Sequence, residues 1–334
     1  MATSITPKKH NSMNRKILFL DKAHPALEQR LTELGFACET DLTSPKVTVE
    51  KFIHEFTGIV MRSRFALDKN IISKATRLVF IAREGVGLEH IDVDFAESKG
   101  ICVLISPEGS RDTVGEHAIG LLLCLMNNLS RADRQVRRGE WIREANRAVE
   151  LKGKTVGILG YGNMGTAFAR RLQGFEVRTL AYDKFKTNYG DDFALQAPLE
   201  QLFEEADVLS IHIPYMPENH YFVNEAFLRS FKKSIWLVNT ARGLVLNTED
   251  LVKNLKTGKV AGAALDVLEY EETSFDKFRL DKLPEAFDYL VNAENVVLSP
   301  HIAGWSFESK QKHALVLAQK IEQLFFDVEE KPGK

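Results

Sequence analysis

Short runs rich in aliphatic and β-branched residues alternate with stretches of helical periodicity along nearly the whole chain, and this alternation leaves few folds open. A strand followed by a helix and another strand builds a parallel sheet with helices covering its faces, so the expected fold class is α/β. In the first third, strands are expected at Lys16 to Asp21, Gly58 to Arg64, Leu78 to Arg83 and Ile101 to Ile105, with a helix at Ala26 to Leu34. They make one small doubly wound unit. From Ser106 to Thr113 the texture turns to Pro, Gly, Ser and Asp, and Thr113 with Glu116 can form a capping box that starts a helix. One long helix is expected to follow, apolar at Ala118 to Met126 and charged at Arg131 to Arg143, bridging two domains. Six further strands are expected, at Lys154 to Leu159, Val177 to Tyr182, Val208 to Ile213, Ile235 to Val238, Val260 to Leu265 and Val296 to Leu298. A final helix, Ser306 to Asp327, has no sheet of its own to cover and is expected to return to the first domain.

Composition narrows the function classes. With 44 basic and 46 acidic residues, the net charge of -2 provides no field to attract nucleic acid or an anionic membrane. Cys38, Cys102 and Cys124 lie far apart without metal-ligand spacing, so neither a zinc site nor a disulfide framework is expected, and a reducing cytoplasm suits the chain. No apolar segment follows the polar N-terminus, so neither a signal peptide nor a spanning helix is expected.

The sharpest local signal is Gly160-Tyr-Gly-Asn-Met-Gly165, directly after the strand that ends at Leu159 and opening a helix expected over Asn163 to Gly174. In this context the first glycine makes the turn, the second lets the backbone approach a pyrophosphate, and the third lets helix and strand pack closely. Asp183, at the end of the next strand, can accept hydrogen bonds from a ribose and repel a 2'-phosphate. The expected cofactor is therefore NAD, although Lys184 and Lys186 follow closely behind.

His212, Arg242, Asp266 and His301 fall just past the carboxyl ends of successive strands, the edge that lines the ligand crevice of an open parallel sheet. Together with Val60-Met-Arg-Ser-Arg64, Arg83-Glu-Gly-Val-Gly87, Val238-Asn-Thr-Ala-Arg-Gly243, Gly262-Ala-Ala-Leu-Asp-Val267, Glu271 and Ser299-Pro-His-Ile-Ala-Gly304, they give a chain that resembles the D-isomer-specific 2-hydroxyacid dehydrogenases, nearest the phosphoglycerate dehydrogenase branch. The resemblance implies two Rossmann-like domains with a cleft between them. Residues 14–108 plus 305–334 would bind substrate and residues 109–304 would bind NAD. It implies Arg242 as the substrate-binding arginine and Glu271 with His301 as the acid/base pair. Asp266 would hold the nicotinamide carboxamide, and Asn163, Met164, His212, Thr240 and Ala241 would complete the cofactor set. The Gly85 to Gly87 turn, through Val86 and Gly87, can offer backbone N–H groups to a carboxylate. The partner implied is a small 2-hydroxy or 2-keto acid, and a homodimer is expected.

The chemistry of these residue types suits those roles. A histidine can exchange a proton with a hydroxyl at neutral pH, a carboxylate can orient it, and a guanidinium fork can hold a carboxylate rigidly. Arg62 and Arg64, on one side of an extended segment, could join on a phosphate, which makes D-3-phosphoglycerate the first substrate expectation. A glyoxylate, hydroxypyruvate or other 2-keto acid reductase is the alternative, and a dinucleotide-sensing corepressor-like binding protein is a more distant one. Departures from the family pattern are Glu272 where a proline is usual, a long charged stretch at Thr273 to Asn295, and Trp305 in place of a small hydroxyl residue. Glu269 also lies close to the position given to Glu271. His117 is expected to be structural or to lie at a subunit interface. The chain ends at Lys334, and the regulatory serine-binding domain that some members append is not expected.

Overall fold

A computed structural model describes residues 15–271 and 284–326. The chain divides into two compact units, Met1–Ser110 with Ser306–Lys334, and Arg111–Trp305. The first contains a five-stranded sheet of β1 (Lys16–Phe19), β2 (Ala37–Thr40), β3 (Gly58–Met61), β4 (Phe80–Arg83) and β5 (Cys102–Ile105), in the order β2-β1-β3-β4-β5. All its strand pairs are parallel. β3 is buried along its whole length, as expected of a central strand covered on both faces. One face packs Ile17, Phe19 and Phe80 with Leu27 and Leu31 of the helix Pro25–Glu33 and with Ala314, Leu317 and Ile321 of the helix Phe307–Phe326. The last helix does return to the first unit. The opposite face packs Leu18, Ile59 and Ile81 against Val49, Ile71 and Ala96.

The second unit holds β6 (Thr155–Leu159), β7 (Arg178–Tyr182), β8 (Leu195–Gln196), β9 (Val208–Ile211), β10 (Ile235–Asn239), β11 (Val260–Leu265) and β12 (Val296–Leu298), in the order β12-β11-β10-β9-β6-β7-β8. These pairs too are all parallel. Strand order reverses between β1 and β3 in the first unit and between β6 and β9 in the second, and in such sheets ligands bind where the order reverses.

Several expected elements differ. β2 and β8 are extra strands at sheet edges, largely exposed and without an apolar pattern, so periodicity could not reveal them. The helix expected to begin at the Thr113–Glu116 box starts at Pro107 instead. Proline suits the first helical position because its missing N–H has no intrahelical partner there. The single long helix is two, Pro107–Met126 and Leu129–Arg137, broken at Asn128, whose φ of 55° no α-helix continues through. The helix after the glycine motif is Asn163–Arg171, followed by a 3-10 turn at Leu172–Phe175. Among the described residues, no helix is long and apolar enough to cross a membrane.

Candidate active site

In the second unit, the chain leaves β6 at Leu159 and turns through Gly160 at φ 93°. A Cβ there would lie 2.9 Å from the His212 carbonyl oxygen, so the turn after β6 and the turn after β9 meet only because Gly160 has no side chain. At Gly165 a Cβ would lie 2.1 Å from the Gly160 carbonyl oxygen, whereas at Gly162 it would meet nothing within 4 Å. Gly162 therefore gives the loop an open face. No side chain caps the start of the helix Asn163–Arg171, so the first-turn N–H groups of Asn163, Met164 and Gly165 have the arrangement that receives an anion.

The Asp183 carboxylate follows β7 and grips this loop, with Oδ2 accepting from the Tyr161 N–H at 2.9 Å and Oδ1 from the Phe185 N–H at 3.0 Å. Lys186 donates to the Tyr161 carbonyl at 2.6 Å, and the Lys184 ammonium lies 5.6 Å from the centre of the Phe185 ring. His212 turns its ring inward, with Nε2 2.8 Å from the Ser210 hydroxyl and the ring 5.3 Å from that of Phe168. Burial pushes its pKa down to about 3. What His212 brings to the cradle is its backbone.

On the other side of the switch point, buried Asn239 ends β10 and shapes the next turn by accepting from the Ala241 N–H at 3.0 Å and donating to the Arg242 carbonyl at 3.1 Å. The adjacent Thr240 hydroxyl is buried without a hydrogen-bond partner among the described residues. Arg242 itself is extended, and its Nη1 donates to the Ala241 carbonyl at 2.7 Å. A Cβ on Gly243 would lie 2.1 Å from the Leu268 carbonyl carbon, so the arginine's turn presses directly on the segment leading to Glu271. Glu271 accepts from the Leu268 N–H at 2.6 Å through Oε1, and Oε2 stands 2.6 Å from His301 Nδ1. Glu269 is committed elsewhere, accepting from the Thr248 N–H at 2.9 Å and from the Tyr221 hydroxyl. Glu272 and the first part of the charged stretch after it, residues 273–283, lie outside the described residues.

His301 has φ 53°, unusual for a side-chain-bearing residue, and the turn around it is held by Asp266. The Asp266 carbonyl accepts from the His301 N–H at 2.7 Å. Its carboxylate accepts from the Ser299 hydroxyl at 2.6 Å, the Ile302 N–H at 3.0 Å and the Ala303 N–H at 2.8 Å. Burial by itself would raise the Asp266 pKa, but His117 and these donors outweigh it and hold the group below the ordinary carboxylate value. The Asp266 side chain is 0% exposed. The resemblance gave Asp266 to the nicotinamide carboxamide; here its oxygens are given to the turn that carries His301. His117 is part of the same cluster, its Nε2 3.1 Å from the Ser299 hydroxyl and 3.4 Å from Asp266 Oδ1.

In the first unit, the Gly85-Val86-Gly87 turn follows β4, with Gly85 at φ 147°, Val86 half-buried and Gly87 buried. The arginines after β3 do not form the expected pair. β3 ends at Met61, so residues 62–64 are a bend rather than extended strand. The Asp21 carboxylate fills that bend, accepting from the N–H groups of Arg62 at 2.6 Å and Ser63 at 3.2 Å. The Arg64 guanidinium donates to the carbonyls of Leu20, Asp41 and Ser44. Arg62 acts electrostatically on Glu84 and His313. Sequence reading gave no role to Asp21, Ser106 or His313. Asp21 and Ser106, polar residues at strand ends, carried a signal that could have been used; His313, on the last helix, carried none.

The doubly wound second unit and its glycine cradle define a nucleotide-binding oxidoreductase fold. The family model described as "D-isomer specific 2-hydroxyacid dehydrogenase, NAD binding domain" matches residues 119–303. A glyoxylate reductase of Thermofilum pendens is 38% identical over 263 residues, 76% of this chain and 74% of that one. A D-3-phosphoglycerate dehydrogenase of Archaeoglobus fulgidus is 33% identical over 304 residues, 90% of this chain and 56% of that one. Among solved structures, an NADPH-dependent glyoxylate/hydroxypyruvate reductase of Sinorhizobium meliloti in complex with NADP and malonate superposes with a TM-score of 0.76 at 29% identity, covering 94% of each chain. The chain belongs to the D-isomer specific 2-hydroxyacid dehydrogenase family, oxidoreductases that use a nicotinamide dinucleotide.

Proposed function

We propose that this enzyme reduces small unphosphorylated 2-keto acids of the glyoxylate and hydroxypyruvate class to D-2-hydroxy acids, with His301, Glu271 and Arg242 as its catalytic residues. The observation that carries the chemistry is the 2.6 Å pairing of Glu271 with His301 Nδ1. A carboxylate on Nδ1 keeps that nitrogen the donor and leaves Nε2 to pass a proton to the C2 oxygen during reduction, or to take it back during oxidation. A nicotinamide held by the second unit would supply or accept the hydride at C2. Arg242 would hold the substrate's carboxylate and polarise the C2 oxygen, and in the first unit the Val86 and Gly87 N–H groups are donors suited to a carboxylate.

Gly160, Gly162 and Gly165, with Asn163, Met164 and the backbone of His212, would receive the pyrophosphate, with Thr240 and Ala241 on the nicotinamide side. Asp183 favours NAD over NADP, and the engagement of Lys186 with the loop backbone and of Lys184 with Phe185 supports this preference. The working form is taken to be a cytoplasmic homodimer. Exposed Leu129, Val136, Trp141 and Ile142 support self-association of the second unit.

The preference for an unphosphorylated substrate is supported by the commitment of Arg64 to three backbone carbonyls and by Asp21 filling the bend after β3. D-3-phosphoglycerate is the second reading, favoured by the similarity to the Archaeoglobus enzyme. Steady-state kinetics with NADH on glyoxylate, hydroxypyruvate, pyruvate and 3-phosphohydroxypyruvate separate the two. We expect kcat/KM for glyoxylate or hydroxypyruvate to exceed that for the phosphorylated acid by about tenfold or more, the worth of about one charge-assisted contact. The reverse order would establish the phosphoglycerate reading. Tight NADH binding without turnover of any of these acids would favour a binding module.

A further inference from the structure

The turn proposed to hold the substrate's carboxylate is braced by a serine–histidine pair whose members lie 207 positions apart in the sequence. Ser106 is 0% exposed and lies just past β5. Its hydroxyl oxygen accepts from the Gly85 N–H at 3.2 Å and stands 2.7 Å from Nδ1 of His313, on the helix Phe307–Phe326. The Ser106 N–H donates to the Gly85 carbonyl at 2.9 Å, so both backbone groups of Gly85 are tied to one residue.

A hydroxyl has a single proton. The Gly85 N–H takes one of the two lone pairs of the Ser106 oxygen, and the hydroxyl proton remains available to donate to His313 Nδ1 in the tautomer that leaves that nitrogen unprotonated. Burial pushes the His313 pKa down to about 4, outweighing a hydrogen bond with the Ser106 backbone that raises it, while the charges of Arg83 and Arg62 lower it further and that of Glu108 opposes them, so the ring is neutral with one nitrogen able to accept. Space for the ring is built in. A Cβ on Gly109 would lie 2.5 Å from His313 Nδ1 and 2.7 Å from its backbone nitrogen. Gly85 is equally constrained, since a Cβ there would lie 1.9 Å from Arg83 Nη1.

We propose that Ser106 and His313 are positioning residues for 2-keto acid binding, fixing Gly85 so that the Val86 and Gly87 N–H groups stay aimed at the substrate's carboxylate. This rests on the carboxylate-binding role given to that turn above. Without His313 the Ser106 hydroxyl loses its side-chain partner, and without Ser106 the Gly85 N–H is left buried and unpaired. In either case the turn relaxes and its donors must be reordered on binding, which weakens the grip on substrate.

The full-length enzyme tests this with Ser106→Ala, His313→Leu and His313→Asn, the asparagine placing an amide oxygen near the position of Nδ1. Ser106→Ala and His313→Leu should each raise KM for the best 2-keto acid roughly tenfold and change kcat by less than about threefold. NADH affinity, read by fluorescence titration, should stay as in the wild type. Hydrogen exchange of the peptide containing Gly85 should speed up in both, and His313→Asn should restore KM to within about twofold. An unchanged KM and unchanged Gly85 exchange in His313→Leu would overturn the proposal, as would an asparagine variant no better than the leucine one. If the wild type turns over no 2-keto acid, the functional reading fails separately, and the exchange measurement still decides whether the brace exists.

Discussion

Each unit places a glycine turn beside a buried serine–histidine pair, and the two pairs are built in opposite ways. In the second unit Ser210 and His212 are two residues apart, the histidine ring stays within the core, and the glycine loop is touched by the His212 carbonyl. In the first unit Ser106 and His313 come from distant parts of the chain, and the serine hydroxyl itself takes the Gly85 N–H. The local pair supports a loop whose shape its own glycines already dictate. The distant pair supports a turn that only tertiary packing can hold. A second contrast lies in charge. The turn carrying His301 is organised around the ionised Asp266, whereas the Gly85 turn is organised around a neutral imidazole. In the proposed reading the proton-transfer pair lies in the second unit and the backbone donors for a carboxylate lie in the first.

The strongest test of that division is His301→Ala, which should lower kcat at least about a hundredfold while leaving NADH binding intact. A Ser106→Ala variant whose kcat falls as far would erase the contrast. Next in size is Asp266→Asn. An amide replaces one acceptor oxygen with a donor, so some of the Ser299, Ile302 and Ala303 donors lose their partner in a buried site. A stability loss of about 2–4 kcal/mol is expected in denaturant titration, with a fall in kcat. Trp141, Trp236 and Trp305 all lie in the second unit, so tryptophan fluorescence reads that unit alone. Wild-type stability in this variant would mean that Asp266 is not what holds the turn.

Acid should reveal the two histidines. Their folded pKa values, about 4 for His313 and about 3 for His212, lie below the ordinary 6.5. The unfolded chain therefore takes up these protons first. Stability is full above about pH 6.5 and declines as pH falls toward the folded values. Burial raises the Glu84 pKa above 4.5, which opposes the loss in the first unit at the acid end. The stabilisation from Asp266 is fully present above its ordinary 3.8 and is lost only below it, as pH falls through the lowered folded value. His313→Asn should flatten the decline of stability between pH 6.5 and 4 measured by circular dichroism and leave the tryptophan-reported transition as it was. A decline of unchanged slope would assign the acid sensitivity elsewhere.

The smallest effect expected is on cofactor choice. Asp183→Ala should raise KM for NADH several-fold and improve relative use of NADPH by about tenfold, since a carboxylate that repels a 2'-phosphate is gone. Equal use of both cofactors by the wild type would remove Asp183 from that role.

Much of this protein can be read locally. The β6-turn-helix is legible because the glycine spacing directly after an apolar strand is a local pattern, with Gly160 at positive φ and Gly165 packed on the Gly160 carbonyl. The central strands are legible because burial on both faces writes a continuous apolar run. Edge strands β2 and β8 carry no such pattern, and Asn128 broke a helix that periodicity alone would have continued. The His301, Glu271 and Arg242 set followed from strand ends and family pattern. Their mutual support did not, because it depends on Gly243 letting one turn press on another and on Asp266 collecting donors from residues 299–303. The fate of Arg64 was equally invisible. Alternation in an extended segment points two side chains the same way, but the strand stops at Met61 and the carbonyls of Leu20, Asp41 and Ser44 claim the guanidinium. Sequence by itself determined the α/β class, the places of ten of the twelve strands along the chain, the glycine cradle and the residue types able to move a proton. The tertiary structure decided which carboxylate meets His301, what Asp266 holds, and that a histidine on the last helix reaches Ser106 beside Gly85. Hydrogen bonds over such separations are set by how helices pack on a sheet, and no local pattern in the chain encodes that geometry.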